Sequence, residues 1–394
     1  MSVLFLTVVI DLIGFGIIIP IMPFLAPQLG GDDFDIAMII AIYSVFAGVC
    51  GPFWGKLSDR LGRKPIILTC LAGTALSYVL LAFSTSLTEI YVSRAFCGLM
   101  AGNFGVASAM IADLTTPQNR AKGMGLIGAA FGLGMVIGPF MGGVLSGDDM
   151  DFTRPAIAAA CLSLLAMTAG SFFLKESLLK EQRQQLQQHN DQAPTQSLLA
   201  MLKNTGNTLL ICQYFIHNTC VSMVGYLFPL MVRDQLSWGP KEVGIVFGIQ
   251  GIIMALLQGG VIGRVSSRFG ELRCLMFGVS FMLTGLLCFS LIADNTSSIL
   301  ASVFITITGA TFCMPMLNTL TSKRTPPHLR GRMLGTTTSM SAWGRVCAPL
   351  LGGAVLGFGG YSFAWLAGAL FATAFLAWVV SELYKPARDT ALDY

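Results

Sequence analysis

Apolar residues in this chain neither alternate nor keep to one helical face. They run on, and charge is confined to the gaps. Charge-free stretches long enough to cross a hydrocarbon core of about 30 Å, which takes about 20 helical residues, occupy 12–31, 36–55, 65–88, 95–112, 123–147, 155–174, 204–232, 243–263, 274–293 and 295–322. The remaining stretch, 333–381, is interrupted only by Arg345 and carries a turn signal, "GFGGY", at 357–361. It therefore predicts two more helices. The pattern predicts an all-α integral membrane chain of twelve transmembrane helices.

The gaps fix an orientation. Short cytoplasmic loops retain Lys and Arg. With both termini inside, three of the 24 basic residues fall outside (Arg154, Arg233, Lys241), two fall within spans (Arg94, Arg345) and the other 19 lie inside. The acidic clusters "DDFD" and "DDMD" then sit in outer loops. A bacterial inner, or plasma, membrane is the expected location. The run 175–203 is polar and Gln-rich, and reads as a cytoplasmic linker between six-helix halves at 1–174 and 204–394.

Composition adds exclusions. Ten cysteines stand mostly within apolar runs without metal-like spacing, so they read as packing residues, and no metal or cofactor is expected. The first run has no basic leader or cleavage site and reads as a retained span. There is no soluble domain of useful size, no acid/base or metal cluster of the kind an enzyme needs, and no phosphate-cradling G-x-x-x-x-G-K-[ST] loop. A transporter driven by an ion gradient is expected. Its partners would be protons, a small-molecule substrate and the bilayer, with no nucleic acid, and it would act as a monomer.

The halves echo one another, as duplicated transporters do. "GKLSDRLG" at 55–62 recurs 208 positions later as "GRVSSRFG". "PQNRAKGMG" at 117–125 recurs 210 positions later as "PHLRGRMLG". In the first motif, Gly55 and Gly62 suit a tight reversal, while Arg60 and Arg63 suit inside retention. Asp59 is the exception. A carboxylate in a basic loop needs a partner, either Arg60 or Arg63 or the positive end of another helix. In "GMVIGPFMGG", Gly134, Gly138 and Gly142 share a helix face that permits close approach, and Pro139 removes a backbone donor.

With these motifs the chain resembles the major facilitator superfamily over its whole length. Within that superfamily it is most similar to the drug:proton antiporters of the tetracycline-exporter branch. "GKLSDRLGRKP" is similar to the G-x-L-[AS]-D-R-x-G-R-[KR] signature. Gly134, Gly138, Pro139, Gly142 and Gly143 match the antiporter motif of span five. The resemblance implies a twelve-span fold that exports a small organic compound against protons by alternating access, with span five shaping the seam. It also implies that Asp59 latches onto the start of span eleven, a one-sided latch because Ser267 stands at the matching position.

Charge inside the membrane is costly and marks function. Asp11 lies about eight residues into span one, roughly 12 Å deep at 1.5 Å per residue. It is either a proton carrier or a permanently ionised structural partner of an arginine. Arg94 is its natural counter-charge. His217 is a second titrating candidate, or a hydrogen-bonded packing residue. Asp113 stands either at an inner gate or as a solvated end charge. Arg345, near mid-membrane, either snorkels along the seam, pairs with a carboxylate of the other half or meets an anionic substrate. Asn103, Gln213, Asn218, Gln250, Met254, Gln258 and Asn318 are candidates for a cavity wall. The acids and the histidine expected of a tetracycline exporter correspond here to Ser77, Met282 and Met254, which weakens tetracycline as substrate. The rival reading is export of an anionic metabolite or siderophore. Proton symport and a non-transporting scaffold rank lower.

Overall fold

The computed structural model describes residues 2–116, 120–147, 149–178, 207–292, 295–325 and 330–384. Most of the linker expected at 175–203, and much of the repeated basic motifs near 117 and 327, lie outside these residues. All regular structure among them is helical: α1 Ser2–Ile18, α2 Met22–Gln28, α3 Asp33–Leu61, α4 Arg63–Ala82, α5 Leu87–Leu99, α6 Asn103–Leu114, α7 Arg120–Ser146, α8 Thr153–Phe173, α9 Thr208–Leu236, α10 Pro240–Leu256, α11 Ile262–Phe269, α12 Glu271–Leu291, α13 Thr296–Arg324 and α14 Arg330–Leu383. A π-helical turn, Leu257–Val261, joins α10 to α11.

Nine helices among the described residues are long and apolar enough to cross a membrane, and α1 with α2, bent by 45°, makes a tenth if the pair is one span. The apolar part of α7, Gly132–Ser146, is shorter. The helix α14 runs for 54 residues, about 81 Å at 1.5 Å per residue, more than twice the hydrocarbon core. It breaks at Gly360, whose φ of 72° is open to glycine and strained for other residues. The protein is a multi-pass membrane protein.

Local chemistry sets the helix ends. Asp32 and Asp35 form a reciprocal capping box at the start of α3, which satisfies two orphan N–H groups. The α3 to α4 reversal turns on Gly62 (φ 110°), and the matching reversal from α11 to α12 turns on Gly270 (φ 82°), 208 positions later. The sequence echo is thus an echo of backbone conformation. Gly55 plays no part in that turn. It lies within α3 with open space where a side chain would stand.

The chain forms two compact units. The first comprises Met1–Gln196, Gly225–Ala255 and Arg345–Ala354, and the second Ser197–Val224, Leu256–Gly344 and Val355–Tyr394. In the first, α1 packs on α7 and α8, α4 on α8 and α5, and α3 on α5. In the second, α12 and α13 interlock through glycines: a methyl on Gly278 would lie 2.8 Å from the Gly309 carbonyl oxygen. Contact this close between membrane helices needs small residues, because lipid offers no hydrophobic drive for association.

Candidate functional site

The site begins with a broken span. Residues 87–114 form one apolar stretch, yet the helix stops at Leu99 and restarts at Asn103. A break inside a membrane releases backbone groups that water cannot satisfy. Two side chains take them up. The indole Nε1 of Trp54 donates to the Leu99 carbonyl at 2.6 Å, and the Asn103 Oδ1 accepts from the Phe104 N–H at 2.9 Å. Trp54 packs so closely that a methyl on Gly102 would lie 2.6 Å from its Cδ1. Gly102 therefore has to lack a side chain.

With its oxygen engaged by the backbone, the Asn103 amide presents its Nδ2 to Asp11, and donates to Oδ2. Asn103, a candidate for a cavity wall, stands beside Asp11 on a neighbouring helix. A cavity of about 10 Å³ lies against this pair, lined also by Thr7, Ile67, Leu71 and Phe104. That is about the least volume that holds one water, and Asp11, Asn103 and Thr7 offer it polar contacts.

Arg94 does not form an ion pair with Asp11 among the described residues. Its guanidinium lies 5.6 Å from the centre of the Tyr78 ring, a cation–π distance. It is 4% exposed, and its Nε and Nη2 have no hydrogen-bond partner. Tyr43 links the charges. It lies within electrostatic reach of Asp11, Arg94 and Arg345, and its ring centre is 5.5 Å from that of Phe15. Arg345 is exposed although its helix is apolar. Neither tyrosine carries a sequence signal; only the arrangement of helices reveals them. Gln250, also in this unit, is buried with an unpartnered Nε2. Met254 is half-buried, and Ser77, buried, donates to the Ser93 carbonyl at 2.9 Å.

In the second unit, His217 is 5% exposed with an unpartnered Nδ1, and one turn earlier Gln213 has an unpartnered Oε1. Asn218 donates to Ser341 Oγ at 3.0 Å. Asn318 accepts from the Tyr214 hydroxyl at 2.9 Å. Gln258 is exposed on the π-helical turn. Gln213 and His217, four residues apart, share one face of α9.

The loop motif is an ionic hub. Arg63, whose side chain is 7% exposed, pairs with Asp59 at 2.7 Å and with Asp113 at 3.0 Å, and donates to Ser58 Oγ at 2.6 Å. Asp113 thus belongs to this hub and is no isolated end charge. Glu176 accepts from the N–H groups of Arg63 and Lys64 at 2.9 and 3.2 Å, an anion at the positive end of α4. Among the described residues the partner of Asp59 is Arg63; the segment leading into span eleven, 326–329, lies outside them.

The span-five motif packs against the helix that carries Asp11. A methyl on Gly138 would lie 2.7 Å from the Ile13 carbonyl oxygen, and one on Gly134 2.8 Å from the Leu12 carbonyl carbon. Gly142 faces Ile17 in the same way. Gly143 turns instead to α10, where Gly244, Gly248 and Gly251 meet Gly143, Phe140 and Val136. That stripe went unread in the sequence, although the spacing in "VGIVFGIQG" displays it.

The Major Facilitator Superfamily model matches residues 4–346 and 210–392. The class C tetracycline resistance protein of Escherichia coli is 29% identical over 372 residues, covering 92% of each chain. The class G protein of Vibrio anguillarum is 30% identical, covering 88% of this chain and 87% of its own. A crystal structure of the human organic anion transporter MFSD10 (TETRAN) superposes with a TM-score of 0.73 at 23% identity, covering 96% of this chain and 98% of that one. A multi-pass helical chain that this family's model matches across residues 4–392 is a transporter: the chain belongs to the Major Facilitator Superfamily.

Proposed function

We propose that the chain is a proton-coupled antiporter that exports a small organic compound from the cytoplasm across the inner membrane. In this reading two six-helix halves, 1–174 and 204–394, rock about a central site, with both termini inside. Twelve spans follow if the bent α1–α2 pair and α7 each count once, and α14 twice, beside the eight other membrane-length helices.

One observation carries the reading. Asp11 is the only acidic residue in the interior of a span among the described residues. It sits on the helix gripped by the antiporter motif and is hydrogen-bonded through Asn103 to a broken span. An ionisable group inside a span marks a proton or ion path, and a polar partner with room for one water lets it exchange a proton. Protonation from outside favours the inward-facing form, where substrate displaces the proton. The test uses inverted vesicles carrying a proton gradient, with a fluorescent lipophilic cation and a fluorescent organic anion as probes. Asp11→Asn should abolish uphill transport of whichever probe the parent moves. Full retention would remove Asp11 from coupling.

A second reading concerns substrate charge. Arg94 is buried with two unpartnered donors and shares Tyr43 with Arg345. An anionic substrate would satisfy them, and the human structural relative is described as an organic anion transporter. Preference for the anionic probe, lost in Arg94→Gln, would select this reading over export of cations.

A further inference from the structure

We infer that Trp54 is a positioning residue for proton exchange: it holds span four open at Leu99–Asn103 so that the Asn103 amide is aimed at Asp11. The inference rests on the proton role proposed for Asp11.

The argument follows the released backbone groups. In a continuous helix the Leu99 carbonyl would accept from the N–H of residue 103. Here it accepts from Trp54 on α3 instead. The freed Phe104 N–H is taken by the Asn103 side-chain oxygen, and this contact also settles which end of the amide faces Asp11, since an amide has one acceptor oxygen and one donor nitrogen. Without the indole donor the Leu99 carbonyl would be stranded in an apolar setting, and the cheapest remedy is to close the helix. Closing it rotates residue 103 away from its present direction. Gly102 completes the device, because only a bare backbone admits the indole. The titratable and charged groups around Asp11 are Tyr43, Cys70 and Tyr78, which interact with it directly. Arg94 reaches it through the two tyrosines, and Arg345 through Tyr43. Cys97 acts through the same two tyrosines, and Cys70 also bonds to the Gly102 backbone, so it moves with the break.

The experiment needs no substrate. Infrared difference titration of the full chain in lipid reads the carbonyl stretch of a protonated carboxylic acid, and Asp11→Asn identifies the Asp11 band by its loss. A donor to a carboxylate stabilises the ionised form. Asn103→Ala should therefore move the midpoint of that band up by about one pH unit or more, the size of one hydrogen bond to a charged group. Trp54→Phe, which keeps the ring and removes the N–H, should move it the same way, and so should Gly102→Ala. Phe53→Ala, at the adjacent 59% exposed position, should leave it in place. A midpoint unchanged in both Trp54→Phe and Gly102→Ala, with Asn103→Ala shifted, would overturn the positioning role. A band that persists in Asp11→Asn would overturn the proton role itself.

Discussion

Arg233 on α9 holds Asp33, the first residue of α3, at 2.8 Å, and also donates to the Pro23 carbonyl at 3.1 Å. The pair joins complementary helix ends. Asp33 stands at the positive N-terminus of α3 and Arg233 in the last, negative turn of α9. Tyr226, two turns earlier on α9, donates to the Asp33 carbonyl at 2.7 Å. This knits the end of α9 to the loop that the charge pattern places outside. Opening the chain at this loop would have to break these contacts.

The expected outcome is measurable with a cysteine probe at Leu230, which is 0% exposed, in a background without the ten native cysteines. Arg233→Ala or Asp33→Ala should each raise labelling by an impermeant maleimide about fivefold, the size of a part-exposed ion pair worth about 1 kcal/mol. Exchanging the two charges should recover only part of the protection, because each charge then opposes the dipole of its helix end. Comparing right-side-out with inverted vesicles reports which face opens, and unchanged labelling from both faces would exclude the clasp.

Gly143 and Gly244 meet backbone to backbone. A methyl on Gly244 would lie 2.6 Å from the Pro139 carbonyl oxygen and 2.8 Å from the Gly143 Cα. Replacing a helical glycine with alanine gains about 1 kcal/mol where space is free, and overpacking costs about 1–3 kcal/mol. At Gly244 the clash is with backbone, which cannot swing aside, so the cost wins. Gly244→Ala should lower the melting temperature in detergent. Gly132→Ala on α7, with nothing within 4 Å, should hold or raise it.

The helical class was legible because apolar runs of membrane length have few alternatives, and Gly62 was legible because a charged loop between two such runs has to turn. Gly55 misled for the same reason: a glycine near a loop reads as part of the turn, and only the helix end at Leu61 shows that it is not. The Asp11 site was half legible. A carboxylate inside an apolar run announces itself, but its partner Asn103 lies 92 positions away and was one of several amides with equal claims. Trp54 had none. An indole in an apolar span looks like packing until the carbonyl it satisfies is known, and that carbonyl exists only because span four breaks.

Asp59 was the charge in the loop that basic retention left unexplained, and the structure gives it a partner in Arg63, which it shares with Asp113. One guanidinium thus screens two carboxylates that would otherwise repel. Removing the centre of such a hub leaves uncompensated charge, a larger loss than removing either arm. Arg63→Ala should therefore destabilise the chain by about 3 kcal/mol in a detergent unfolding series. Asp59→Asn or Asp113→Asn should each cost about 1 kcal/mol, since these side chains are 30% and 21% exposed. Arg63→Lys should fall between, because a single ammonium cannot serve both arms with the geometry of a planar fork. In the double variant Arg63→Ala with Asp113→Asn, part of the loss should return, because one of the two stranded charges is gone. A coupling of about 0.5 kcal/mol or more between the positions is the expected sign of the hub, and strict additivity would mean that Arg63 and Asp113 act independently.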